Sequence, residues 1–91
     1  MVKKEIEEWL LRANKDLEEA KFLFEHNRPL EDSAYFVHKA IEKYLKAFLI
    51  FNGWELEKIH DLVKLTKEAV KFDKSFKKIY SYSRKNNRFL Y

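Results

Sequence analysis

Ala34-Tyr35-Phe36-Val37-His38-Lys39-Ala40-Ile41-Glu42-Lys43-Tyr44-Leu45-Lys46-Ala47 is the stretch that decides the fold. No glycine or proline interrupts it. Ala34, Val37, Ile41, Leu45 and Phe48 recur at steps of three and four, the spacing of one face of a helix. His38 stands at the edge of that seam, and Glu42 and Lys43 follow one turn later. A bundle helix needs only the seam, so these polar residues ask for a further explanation.

Outward from this stretch the same period continues. A first helix is expected from about Lys3 to about His26, with Ile6, Leu10, Ala13, Leu17, Ala20 and Phe24 as its seam and Trp9 and Leu23 widening it. Asn27-Arg28-Pro29 ends it, because proline disfavours helical geometry in the residue before it. The second helix is expected to start at Asp32 or Ser33, either of which can cap free N–H groups, and to stop at Gly53. Trp54, in the following connection, reads as a lid on the core. A third helix begins near His60-Asp61, with His60 read as a cap, and uses Leu62, Leu65, Ala69 and Phe72. Phe76 and Ile79 extend that seam, and Asp73 is a candidate cap for a separate fourth helix. Short connections join neighbouring helices antiparallel, so the expected fold is all-α, an up-and-down four-helix bundle in a single domain over residues 1–91. Helices this few leave an apolar face poorly covered, and a homodimer is the expected remedy.

Composition narrows the function classes. One glycine and one proline among 91 residues disfavour a turn-rich sheet fold. The absence of cysteine excludes disulfides and thiolate metal sites and fits a reducing compartment. Charges interrupt every apolar run, so no membrane span is expected, and the acidic, amphipathic N-terminus does not read as a signal peptide. A cytoplasmic protein is expected. The three histidines fall on different segments without ligand spacing, so neither zinc nor a cofactor is expected. Residues 1–70 hold 12 Lys or Arg against 14 Asp or Glu, whereas residues 71–91 hold 7 against one. The basic excess is therefore C-terminal, where Phe72, Phe76, Tyr80, Tyr82 and Phe89 sit among the cations. Cations favour phosphate and aromatic faces stack on bases, though a solvated basic helix face has the same composition.

Four pieces in order resemble the HEPN domain, an all-helical family. Trp9 to Ala20 looks like its first helix. Ala34 to Ala47 is similar to its second-helix signature, in which an aromatic, a histidine and an alanine precede Glu-Lys-x-Leu-Lys-Ala. His60-Asp61-Leu62-Val63-Lys64-Leu65 looks like its third-helix start. Tyr80-Ser81-Tyr82-Ser83-Arg84 is similar to its tyrosine-rich turn ending in arginine. The resemblance implies a dimer that binds or cleaves RNA, paired with a nucleotidyltransferase-type antitoxin. Active members carry Arg, four to six residues, then His, and cleave without a metal. An imidazole near neutral pKa suits removal of the 2′-hydroxyl proton, and guanidinium stabilises the phosphorane.

The chain departs from that pattern. No histidine follows Arg84; in the extended register Arg-x4-His-x-Tyr, Phe89 stands in the histidine's place and Tyr91 matches the tyrosine that related partner enzymes adenylylate. The resemblance thus makes Arg84 the candidate catalytic residue of a metal-independent endoribonuclease whose activity the missing histidine puts in doubt. Arg84, Lys85, Asn86, Asn87 and Arg88 are candidate RNA or nucleotide contacts, and Tyr91 is a candidate modification site. Many relatives continue into another amphipathic helix beyond this point. His38 reads as a structural hydrogen-bonding residue, His26 as a frayed helix end, and Glu42 as partly buried. A non-catalytic scaffold that docks a partner protein on its bundle face is the alternative.

Overall fold

The computed structural model describes residues 2–55 and 61–85, with side chains from Lys3 onward. Four α-helices follow one another: α1 (Val2–Glu25), α2 (Leu30–Phe51), α3 (Leu62–Phe72) and α4 (Lys77–Lys85), with a 3₁₀ turn (Lys74–Phe76) before α4. Among the described residues there is no strand, and no helix is long and apolar enough to cross a membrane.

Helix ends follow local backbone chemistry. Asn27 takes a left-handed φ of 56°. The Arg28 N–H then reaches the Leu23 carbonyl at 3.1 Å and the Asn27 N–H reaches that of Phe24 at 3.3 Å. This paired closure terminates α1, so Asn27 rather than the influence of Pro29 ends the helix. Gly53, at φ 88°, repeats the motif for α2, with Trp54 N–H on the Leu49 carbonyl at 2.9 Å and Gly53 N–H on that of Ile50 at 3.0 Å. Trp54 then folds onto the core, as its reading as a lid anticipated. The start of α2 differs from expectation. It begins at Leu30 behind Pro29, without a side-chain cap, and Ser33 is buried inside the helix. Glu31 and Asp32 instead place negative charge in the first turn, where the helix dipole favours it. Asp61 caps α3, its Oδ1 accepting from Val63 N–H at 2.9 Å; His60 lies outside the described residues. Asp73 separates α3 from α4 as a cap, accepting from Ser75 N–H at 2.9 Å.

Cross-helix contacts set the topology. Asp16 meets Lys43, Asn14 meets Tyr44 and Trp9 meets Lys46, so α1 position falls as α2 position rises and the pair is antiparallel. Ala13 and Ala20, both buried, form the α1 side of this contact and let the helices approach closely. The larger core lies on the other side of α2. Leu45 and Leu49 pack with Leu62, Leu65 and Ala69, and Ile41, Phe48, Trp54 and Phe76 close over them. Full burial of each such leucine contributes about 1.5–3 kcal/mol. The expected α1 seam was therefore too broad. Leu10, Leu17 and Phe24 are exposed, and they form a separate apolar line beside the alanines.

Candidate nucleic-acid interface

Ser83 fixes the position of α4. It is fully buried, and its small side chain lets α4 approach α3. Its Oγ lies 3.1 Å from Thr66 Oγ1, 2.8 Å from the Tyr80 carbonyl, and Thr66 Oγ1 lies 2.9 Å from the Leu62 carbonyl. Each hydroxyl carries one proton, so these contacts share two protons within a small buried network. One residue earlier, the Tyr82 hydroxyl bonds His38 Nε2 at 2.5 Å, with the rings edge to face at 5.4 Å. His38 is 2% exposed, and burial holds its pKa below the ordinary imidazole value. The structural role read for His38 is thereby met, and its partner is an aromatic of the C-terminal segment. Thus α4, only nine residues long, is held on α2 and α3 by two polar contacts.

Arg84 follows immediately and points outward. Its guanidinium carbon lies 5.9 Å from the Tyr80 ring centre, a cation–π distance. With Ser81 and Lys85 it lines a cleft of about 310 Å³. Lys74, Lys77, Lys78 and Lys85 are exposed on the 3₁₀ turn and α4. Arg84 and Lys85 also occupy the last turn, where cations complement the helix dipole. Asn86, Asn87, Arg88, Phe89 and Tyr91 lie outside the described residues. Sequence reasoning missed the part played by Tyr80, Ser81, Thr66 and Ser83. A small hydroxyl residue, Ser83, set among aromatics was the one available signal for close helix approach.

The other polar residues of α2 are structural. Glu42 is buried, as expected, and spans two lysines of its own helix, Lys46 at 3.3 Å and Lys39 at 3.8 Å. A solvated Glu42–Lys46 pair is thereby excluded, since Lys46 is only 2% exposed, its ammonium 4.9 Å from the Trp9 ring centre. Lys43 crosses to Asp16 at 2.5 Å and ties α1 to α2. His26 is not frayed. Its ring stacks on Phe22 at 4.0 Å and its Nδ1–H donates to the Phe22 carbonyl at 2.8 Å, capping the end of α1. Among the described residues no three His, Cys, Asp or Glu side chains converge as a metal site.

A wide groove of about 800 Å³ runs along the exposed line of α1 and the start of α2, bordered by Leu17, Phe24, Leu30, Val37 and Tyr82. Phe24 is 66% and Leu30 70% exposed. Ser33 Oγ, buried at its floor, has no hydrogen-bond partner among the described residues.

No curated protein sequence and no solved structure matches this chain. The sequence profile of the HEPN domain matches residues 6–90, which includes α1 from Ile6 onward, the polar face of α2, the Asp61-capped α3 and the arginine-bearing α4. With that match over nearly its whole length, the chain belongs to the HEPN domain family.

Proposed function

We propose that this HEPN-family protein binds RNA or nucleotide phosphate through α4 and the basic segment that follows, as a homodimer in a toxin–antitoxin system with a nucleotidyltransferase-type antitoxin. The observation that carries the reading is the placement of Arg84 and Lys85. They are exposed at the end of a helix whose preceding residues, Tyr82 and Ser83, are anchored in the bundle. Anchored cations lose less freedom on meeting a phosphate than cations on a loose tail. Binding is favoured over cleavage, because Phe89, Leu90 and Tyr91 occupy the spacings after Arg84 at which active members carry histidine, and His38 is buried against Tyr82. An arginine alone stabilises a charged transition state but does not take the 2′-hydroxyl proton.

The groove along Leu17, Phe24 and Leu30 supports the dimer, since an uncovered apolar line of that length is costly in water. The same groove favours the second reading, a scaffold that docks a partner protein there without nucleic acid.

The test is the affinity for single-stranded RNA as a function of salt, for the wild type and Arg84→Ala/Lys85→Ala. Each phosphate contact removed should reduce the log–log salt slope by about 0.7. Unchanged affinity and slope in the double variant would overturn the reading. Cleavage of RNA by the wild type that Arg84→Ala abolishes would move the protein to the ribonuclease class.

A further inference from the structure

Leu10, Leu17 and Phe24 recur on α1 at a strict heptad spacing, so they form one line spanning about 21 Å at the ordinary helical rise. They are 38%, 46% and 66% exposed, so the line stands further out toward the C-terminal end of the helix. Leu17 and Phe24 wall one side of the 800 Å³ groove, and Leu30 and Val37 of α2 wall the other. Leu10 extends the line beyond the groove's lining. Ser33, on the floor, is 6% exposed, and its hydroxyl has no hydrogen-bond partner among the described residues. A buried hydroxyl left unpaired is costly. The groove is the open side from which a partner enters.

The line is self-complementary about Leu17. Two α1 helices laid antiparallel across a two-fold axis there set Leu17 against Leu17, and Leu10 of each copy against Phe24 of the other. The recessed end of one line then meets the protruding end of the other. Charge agrees with this arrangement. Asn14 and Lys21 flank Leu17 in the groove, and the two-fold axis brings Lys21 of each copy beside Asn14 of the other. A parallel pair would instead oppose Lys21 to Lys21 and Glu18 to Glu18, with the helix dipoles aligned side by side. A small molecule that filled the groove would leave Leu10 in water.

Resting on the homodimer reading, we propose that a second copy of this chain covers the groove with its α1 antiparallel to the first across a two-fold axis at Leu17, and supplies the hydrogen-bond partner that Ser33 lacks. The chain contains no cysteine, so single introduced thiols report the register. Sedimentation of the full-length wild type comes first and gives the dissociation constant. Leu10→Cys, Leu17→Cys and Phe24→Cys are then oxidised with copper–phenanthroline above that concentration. Leu17→Cys cross-links at least about tenfold faster than either other variant alone, because a disulfide needs Cα atoms within about 7 Å and the other two set like thiols about 21 Å apart. An equimolar mixture of Leu10→Cys and Phe24→Cys cross-links as the mixed dimer, which carries the test if Leu17→Cys itself dissociates. Ser33→Ala raises the dissociation constant by about tenfold or more. It leaves the urea stability of the monomeric Leu17→Glu chain unchanged, since the hydroxyl has no bond to lose there. A monomeric wild type overturns the homodimer reading and this arrangement with it. The arrangement alone is overturned if the wild type is a dimer but the mixed thiols do not join, if Leu10→Cys or Phe24→Cys alone cross-links fastest, or if Ser33→Ala dissociates as the wild type does.

Discussion

The bond between His38 and Tyr82 should contribute measurably to stability, and acid should erode the contribution of His38. Tyr82→Phe removes one hydroxyl from a 2.5 Å contact and keeps the ring. A typical intramolecular hydrogen bond contributes a net 0.5–1.5 kcal/mol, roughly, and loss of a partner by a buried polar group costs about 1–3 kcal/mol. His38 is 2% exposed and Tyr82 40% exposed, so water reaches the phenol side more readily than the imidazole. The expected loss is therefore about 1–2 kcal/mol, or ~4–8 °C in Tm per kcal/mol for a domain of this size. A double-mutant cycle of Tyr82→Phe with His38→Phe, followed by urea unfolding at pH 7, should give a coupling of about 1 kcal/mol. The pH dependence has a definite sign. Burial lowers the folded pKa of His38 below 6.5. Between 6.5 and that lower value the unfolded chain binds the proton and the folded chain does not. This stability is fully present above pH 6.5 and is lost as pH falls below it. His38→Phe should flatten the profile below pH 6.5. Coupling indistinguishable from zero, with an unchanged acid profile, would refute the anchoring of α4 by this pair.

Three further outcomes are expected. Glu42→Gln leaves the 2%-exposed Lys46 ammonium without its counter-charge and should cost about 3–5 kcal/mol, whereas Glu42→Leu/Lys46→Met should cost less than the single change; urea unfolding at pH 7 measures both. Gly53→Ala meets no atom within 4 Å, so its cost is backbone strain at φ 88°, about 1–2 kcal/mol by thermal unfolding. Leu17→Glu, in the exposed groove, should convert the proposed dimer to a monomer with little change in helicity; a wild-type monomer at micromolar concentration in sedimentation would remove the dimer.

The helices were legible because α2 and α3 carry an uninterrupted 3.6-residue period and because Gly53 and Asp73 are chemically suited to the ends they make. Helix α1 was misread for a physical reason. Period alone collects every apolar residue into one seam. It does not separate Ala13 and Ala20, which permit close approach, from Leu10, Leu17 and Phe24, which stand beside the contact. Leu30 was likewise assigned to a connection because proline at a helix start and proline after a helix end look alike in sequence. At the candidate site, Arg84 was visible from its motif. What holds it was not, since the His38–Tyr82 contact joins residues 44 positions apart and leaves no local pattern. The burial of Lys46 was equally hidden, because Glu42 with Lys46 reads the same on a solvated face as beneath Trp9.

The central claim is that the anchored, arginine-bearing end of α4 is where nucleic acid binds. Backbone amide NMR of the whole chain during titration with single-stranded RNA tests it most directly. Shifts concentrated at Ser81, Arg84 and Lys85 and in the residues that follow are predicted, with the Leu10–Phe24 line undisturbed. Shifts confined to that line and the start of α2, or none at low salt, would contradict the account.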